Sequence, residues 1–164
     1  MLNKLSFLVI AILASITNFS QEKYAGRFTG NAQCIYGEIL GNGLTLSANY
    51  DIRFRGQKGL GLRVGLGYLG SNEGGILSIP VGINHLSGIA PNYLEVGIGY
   101  TFVTLTGTDN ILNGSGAILV PNIGYRYQPL QKGVTIRIGL SPLISLEGTG
   151  EWVYWGGASI GYMF

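Results

Sequence analysis

Between Ile76 and Phe102 the chain alternates with a period of two on both sides of a turn. In the second arm Leu94, Val96, Ile98, Tyr100 and Phe102 form one set, and Tyr93, Glu95, Gly97, Gly99 and Thr101 the other. Successive side chains of a strand point to opposite faces, so this arm has one apolar face and one polar or empty face. The first arm repeats the pattern, with Leu77, Ile79, Val81 and Ile83 against Ser78, Pro80, Gly82 and Asn84. The stretch Leu86–Asn92 between them holds Ser, Gly, Pro and Asn, the residues of a turn. A period of two excludes an amphipathic helix here. What the apolar face touches, a protein core or lipid, then decides what the chain is.

The same rhythm runs through the rest of the sequence. Ala32–Leu40 reads as a first strand that ends at Gly41-Asn42-Gly43. Leu44–Arg55 sets Leu44, Leu46, Ala48, Tyr50, Ile52 and Phe54 against Thr45, Ser47, Asn49, Asp51, Arg53 and Arg55. Leu60–Leu69, Ala117–Tyr127, Val134–Leu140 and Trp152–Phe164 alternate likewise, and no helical period appears after the N-terminus. With the two arms above, this predicts eight strands of about ten residues, the length a tilted strand needs to cross a bilayer. The expected fold is all-β: an eight-stranded antiparallel up-and-down transmembrane β-barrel. The connections after the second, fourth and sixth strands are short. Those after the third, fifth and seventh are longer, as in outer-membrane barrels with short periplasmic turns.

Composition narrows the alternatives. Charged residues make up 11% of the 164, and there are 28 glycines. Mean hydropathy is +0.32. Outside the N-terminus no apolar run reaches the length of a membrane helix. A net charge of +2 is too small to suggest a nucleic-acid partner. The one cysteine, Cys34, excludes an internal disulfide, and no His, Cys and carboxylate set has metal-ligand spacing. Residues 1–20 read as a signal peptide: Lys4 is the basic start, Leu5–Ile16 the apolar segment, and cleavage is expected after Ser20. Residues 21–164 are then the exported barrel.

The polar faces carry glycine and scattered charge, where water-facing strands would carry Lys, Glu, Thr and Gln. Glycine beside a few large polar groups suits the narrow lumen of a small membrane barrel, where desolvated charges must pair. The charged set in that phase is Glu38, Asp51, Arg53, Arg55, Arg63, Glu95, Arg126 and Arg137. Arginine suits such pairing through its planar fork of donors. Glu95, Asp51 and Glu38 are expected to pair with these arginines inside the barrel. Tyr50, Tyr68, Tyr100, Tyr125 and Tyr127 share the apolar phase and fit an aromatic girdle. At the C-terminus Ile160, Tyr162 and Phe164 are in phase, which resembles the signal in the last strand that the outer-membrane assembly machinery reads.

Five stretches carry a wider likeness: Ile79-Pro80-Val81-Gly82-Ile83-Asn84, Leu94-Glu95-Val96-Gly97-Ile98-Gly99, Ile123-Gly124-Tyr125-Arg126-Tyr127-Gln128-Pro129, Arg137-Ile138-Gly139-Leu140-Ser141-Pro142 and Ser159-Ile160-Gly161-Tyr162-Met163-Phe164. Over about residues 32–164 the chain resembles a family of small outer-membrane β-barrel proteins of Bacteroidetes-type bacteria. The resemblance implies a fold and a location, and no activity. His85 departs from the pattern, where an aromatic is more usual.

One constellation could carry chemistry. His85 and Ser87, two apart, with Glu95 on the partner strand, look like the His-x-Ser plus Glu arrangement of outer-membrane lipid A deacylases, as base, nucleophile and orienter. Gly88 follows where that motif continues with Asn. His85 also shares the phase of Ile83, opposite to Glu95, so the three meet only across a bulge. A histidine at the rim of a turn is the simpler reading. The sequence therefore favours a non-enzymatic barrel with a structural or surface-interaction role, acting through the outer loops Thr106–Gly116 and Ser141–Glu151. A passive pore, a lipid-modifying enzyme and a secreted lipocalin-like ligand binder are the alternatives. The expected partners are outer-membrane lipid and the assembly machinery, with no cofactor and a monomeric state.

Overall fold

The first and last long strands hydrogen-bond to each other, and this closes the sheet into a ring. The computed structural model describes residues 30–71, 74–107, 114–145 and 152–164. The expected leader, residues 1–20, and parts of both long loops lie outside them. The strands are β1 (Gln33–Leu40), β2 (Leu46–Arg53), β3 (Gly59–Ser71), β4 (Gly74–Ile89), β5 (Asn92–Gly107), β6 (Gly114–Tyr127), β7 (Gly133–Leu140), β8 (Leu143–Ser145), β9 (Trp152–Val153) and β10 (Gly156–Met163). Every ladder is antiparallel. β1–β7 and β10 are the eight staves of a closed up-and-down barrel. β8 and β9 are a short extension that pairs on β6 beyond the ring.

The parity of the sequence decides the inside and the outside. Ile35 and Ile39 on β1, Leu62, Val64 and Leu66 on β3, and Ile136, Ile138 and Leu140 on β7 are exposed on the outer surface. Among the described residues the buried apolar ones are few: Ala32, Cys34, Tyr36, Leu86, Tyr93, Val120 and Met163. The polar and charged buried residues outnumber them, which is the reverse of a water-soluble domain.

Three expectations need correction in detail. The turn expected over Leu86–Asn92 is much shorter, because β4 and β5 stay in register down to the Ile89–Asn92 pair. The last segment is broken: β9 leaves the ring and the stave proper starts at Gly156. The Gly41–Gly43 connection, expected only as the end of the first strand, is a single 3-10 turn whose three residues are all buried.

Candidate functional site

The candidate site is the lumen. It is built where the inward residues of β2, β3, β5, β6 and β7 converge. Asp51 lies beside Arg63 in the β2–β3 ladder, and Arg126 lies beside Arg137 in the β6–β7 ladder. Two arginines side by side would repel; they are held there because Asp51 and Glu95 reach between them.

Asp51 is the hub. Both of its oxygens accept from Arg53 Nη2 at 2.7 Å. Arg126 Nη1 approaches Asp51 Oδ1 at 3.3 Å, and Arg137 Nη1 lies 3.8 Å from Oδ2. Glu95 is the second anion, with Arg126 Nη1 at 3.6 Å, Arg137 Nη1 at 3.8 Å and Arg63 Nη1 at 4.0 Å. Asn84 ties the two together: its Nδ2 donates to Asp51 Oδ2 and to Glu95 Oε1, each at 2.8 Å, and its Oδ1 accepts from Arg53. Arg63 Nη2 donates to Asn122 Oδ1 at 2.9 Å. The Arg137 guanidinium lies 3.8 Å above the centre of the Tyr36 ring, a cation–π contact. Space for these groups comes from small neighbours. Gly61 stands opposite Arg53 in the ladder, and a Cβ there would overlap the guanidinium.

Two of the expected set fall outside this cluster. Arg55 is exposed, because β2 ends at Arg53 and the chain bends away before the phase brings Arg55 inward. Glu38 is buried in the lumen but makes no ion pair within 4 Å among the described residues. Its Oε2 accepts from the Gly43 N–H at 3.3 Å, so it holds the inward turn instead of an arginine.

That turn is the feature sequence reading missed. Ser78 Oγ donates to Gly43 O at 2.6 Å, Thr101 Oγ1 to Asn42 O at 2.7 Å, and Ser141 Oγ to Asn42 Oδ1 at 3.2 Å. The residues Gly41–Gly43 thus sit inside one mouth of the barrel as a plug. Their signal was the run Gly-Asn-Gly, which was legible as a turn but not as an inward one. The other mouth is closed by turns tied across it. Gln57 Nε2 donates to Leu130 O, and Gln128 Nε2 donates to Gln57 O at 2.8 Å. These turns, β2–β3 and β6–β7, stand on opposite sides of the ring. Between the two closures lies a cavity of about 30 Å³, touched by Glu38, Arg63, Glu95, Arg137 and Ser159. That volume holds a water or two and no larger ligand.

His85 and Ser87 are half-buried on the outward phase, paired with Val96 and Leu94. Glu95 pairs with Leu86 and points inward. The barrel wall separates the serine and histidine from the carboxylate, with no bulge between them, so the three do not form a triad. Of the tyrosines, Tyr50 lies midway along β2 and donates to Gln33 Oε1 at 2.7 Å. Tyr125 and Tyr127 lie at the end of β6, and Tyr68 in the last third of β3. Tyr100 stands midway along β5, away from the strand end, and stacks at a tilt on Phe102 at 5.7 Å. Ile160, Tyr162 and Phe164 all face outward and are exposed.

No protein-family model and no curated protein matches the chain. Among solved structures it is similar to the N-terminal β-barrel domain of Pseudomonas aeruginosa OprF. The TM-score is 0.51 at 17% sequence identity, over 82% of this chain and 96% of that one. This likeness is one of fold.

Proposed function

We propose that the chain is a small integral outer-membrane β-barrel without enzymatic activity, whose role is structural or one of surface interaction through its longer loops. One observation carries this reading: the staves turn aliphatic side chains outward, while the charged side chains of β2, β3, β5, β6 and β7 pair inside. Soluble monomers rarely expose a continuous apolar patch beyond about 600 Å². A ring of Ile, Leu and Val around a whole barrel far exceeds that, and lipid is the solvent that suits it. The likeness to the OprF barrel domain supports the same reading. So does the N-terminal run Leu5–Ile16 after Lys4, which fits an export leader cleaved near Ser20. Ile160, Tyr162 and Phe164 fit the signal for the assembly machinery. Among the described residues both mouths are filled, which favours a barrel that does not conduct over a passive pore.

The test is fractionation of the cell envelope followed by an unheated gel of the outer-membrane fraction. The folded barrel should migrate differently from the boiled chain. A mature chain that stays in the aqueous phase without detergent would defeat the proposal. For catalysis, the check is lipid A itself: His85→Ala and Ser87→Ala should leave its acyl-chain mass pattern unchanged.

A further inference from the structure

Outside the lumen, the exposed cations of the described residues gather at one end. Among the described residues the exposed cations are Arg55, Lys58 and Lys132. All three lie on the β2–β3 and β6–β7 turns, which are tied to each other across the mouth by Gln57 and Gln128. The acidic side chains of the described residues, Glu38, Asp51 and Glu95, are all buried in the lumen. Among the described residues, therefore, three cations share one end face with no acidic side chain. The connections at the opposite end contain Glu73, Asp109, Glu147 and Glu151 and no Lys or Arg in sequence.

The cations do not project from the apolar belt; they border it. Phe54 precedes Arg55, Leu60 follows Lys58 by two residues, and Leu130 precedes Lys132 by two, and all three apolar side chains are exposed. The turns are too short to carry a charge far from that border. We infer that this end face binds the phosphates of anionic phospholipid headgroups in the leaflet that meets the short turns. This rests on the membrane-barrel reading above and adds the lipid class to it. Each Lys or Arg near such a surface strengthens association by about fivefold at most, and salt screens the effect.

The test uses the mature chain folded into phosphatidylcholine vesicles that carry a trace of spin-labelled lipid. The fraction of label immobilised by the protein should be several-fold larger for labelled phosphatidylglycerol than for labelled phosphatidylcholine. The preference should fall as salt rises and should be the same in inorganic phosphate as in sodium chloride of equal ionic strength. It should vanish in the triple variant R55Q/K58Q/K132Q and survive in R55K/K58R/K132R, with the heat-dependent gel shift intact in both. Equal immobilisation of the two lipids, or an undiminished preference in the glutamine variant, overturns the inference. So does competition by free phosphate beyond that of chloride at equal ionic strength, or cation-dependent retention on peptidoglycan sacculi in place of the lipid preference. A chain that enters no vesicle and shows no gel shift instead refutes the barrel reading itself.

Discussion

Asp51 is the residue on which the interior turns. Its carboxylate faces three arginines, and Glu95 alone cannot serve all of them. Removing one partner from a buried ion pair leaves an uncompensated charge, which costs about 3–5 kcal/mol. Asp51→Asn keeps the shape and deletes the charge, so it should destabilise the folded barrel by about that amount in urea titrations followed by tryptophan fluorescence. Arg55→Gln, in the same titration, should change stability by less than about 0.5 kcal/mol, because Arg55 is exposed. Equal losses in the two variants would mean that the lumen network is not what holds the barrel. The phase of Asp51, Arg53, Arg63, Glu95, Arg126 and Arg137 was readable from the sequence, because parity fixes the face. Which arginine meets which carboxylate was not, since that depends on the stagger between strands distant in sequence. Arg55 was misread because parity holds only while the strand lasts.

The elements differ in how plainly the sequence wrote them. The eight staves follow from alternation, and β4 and β5 were legible as a hairpin because both arms keep a strict period. The Gly41–Gly43 plug was illegible, because its inward course depends on Ser78, Thr101 and Ser141 on three separate strands. The β8–β9 extension was illegible too, since two or three residues carry no period. The plug makes its own prediction. Gly157 lies against it, and a Cβ there would come within 2.5 Å of Gly41 Cα. Because that neighbour is backbone, a side chain can enter only if the plug moves. Gly157→Val should therefore cost about 1–3 kcal/mol and loosen one mouth of the barrel. In planar bilayers the parent chain should be electrically silent, and the variant should show brief openings while keeping its heat-dependent gel shift. Openings of equal frequency in both would show that the plug does not seal the lumen.

For the whole molecule the decisive asymmetry is between its two surfaces. Folding a soluble barrel hides aliphatic side chains and exposes charge; here the chain does the opposite. The ion pairs inside do not explain stability in water, because each charge costs several kcal/mol to desolvate and recovers roughly that much on pairing. What tips the balance is the solvent outside: the ring closes through antiparallel ladders between neighbouring staves, and the aliphatic surface is free to sit in hydrocarbon. A charge placed on that surface should thus be penalised only when the surroundings are lipid. Ile136 lies midway along β7, faces outward and is 47% exposed. In a bilayer Ile136→Arg should cost about 2–4 kcal/mol, the value for a cation near the midplane on the lipid face of a barrel. In water the same side chain would be solvated and the cost close to zero. Urea unfolding of parent and variant in phospholipid vesicles measures the difference directly. A penalty of that size supports a hydrocarbon environment on all sides, and its absence in a folded, vesicle-bound chain would mean that the apolar wall meets something other than lipid.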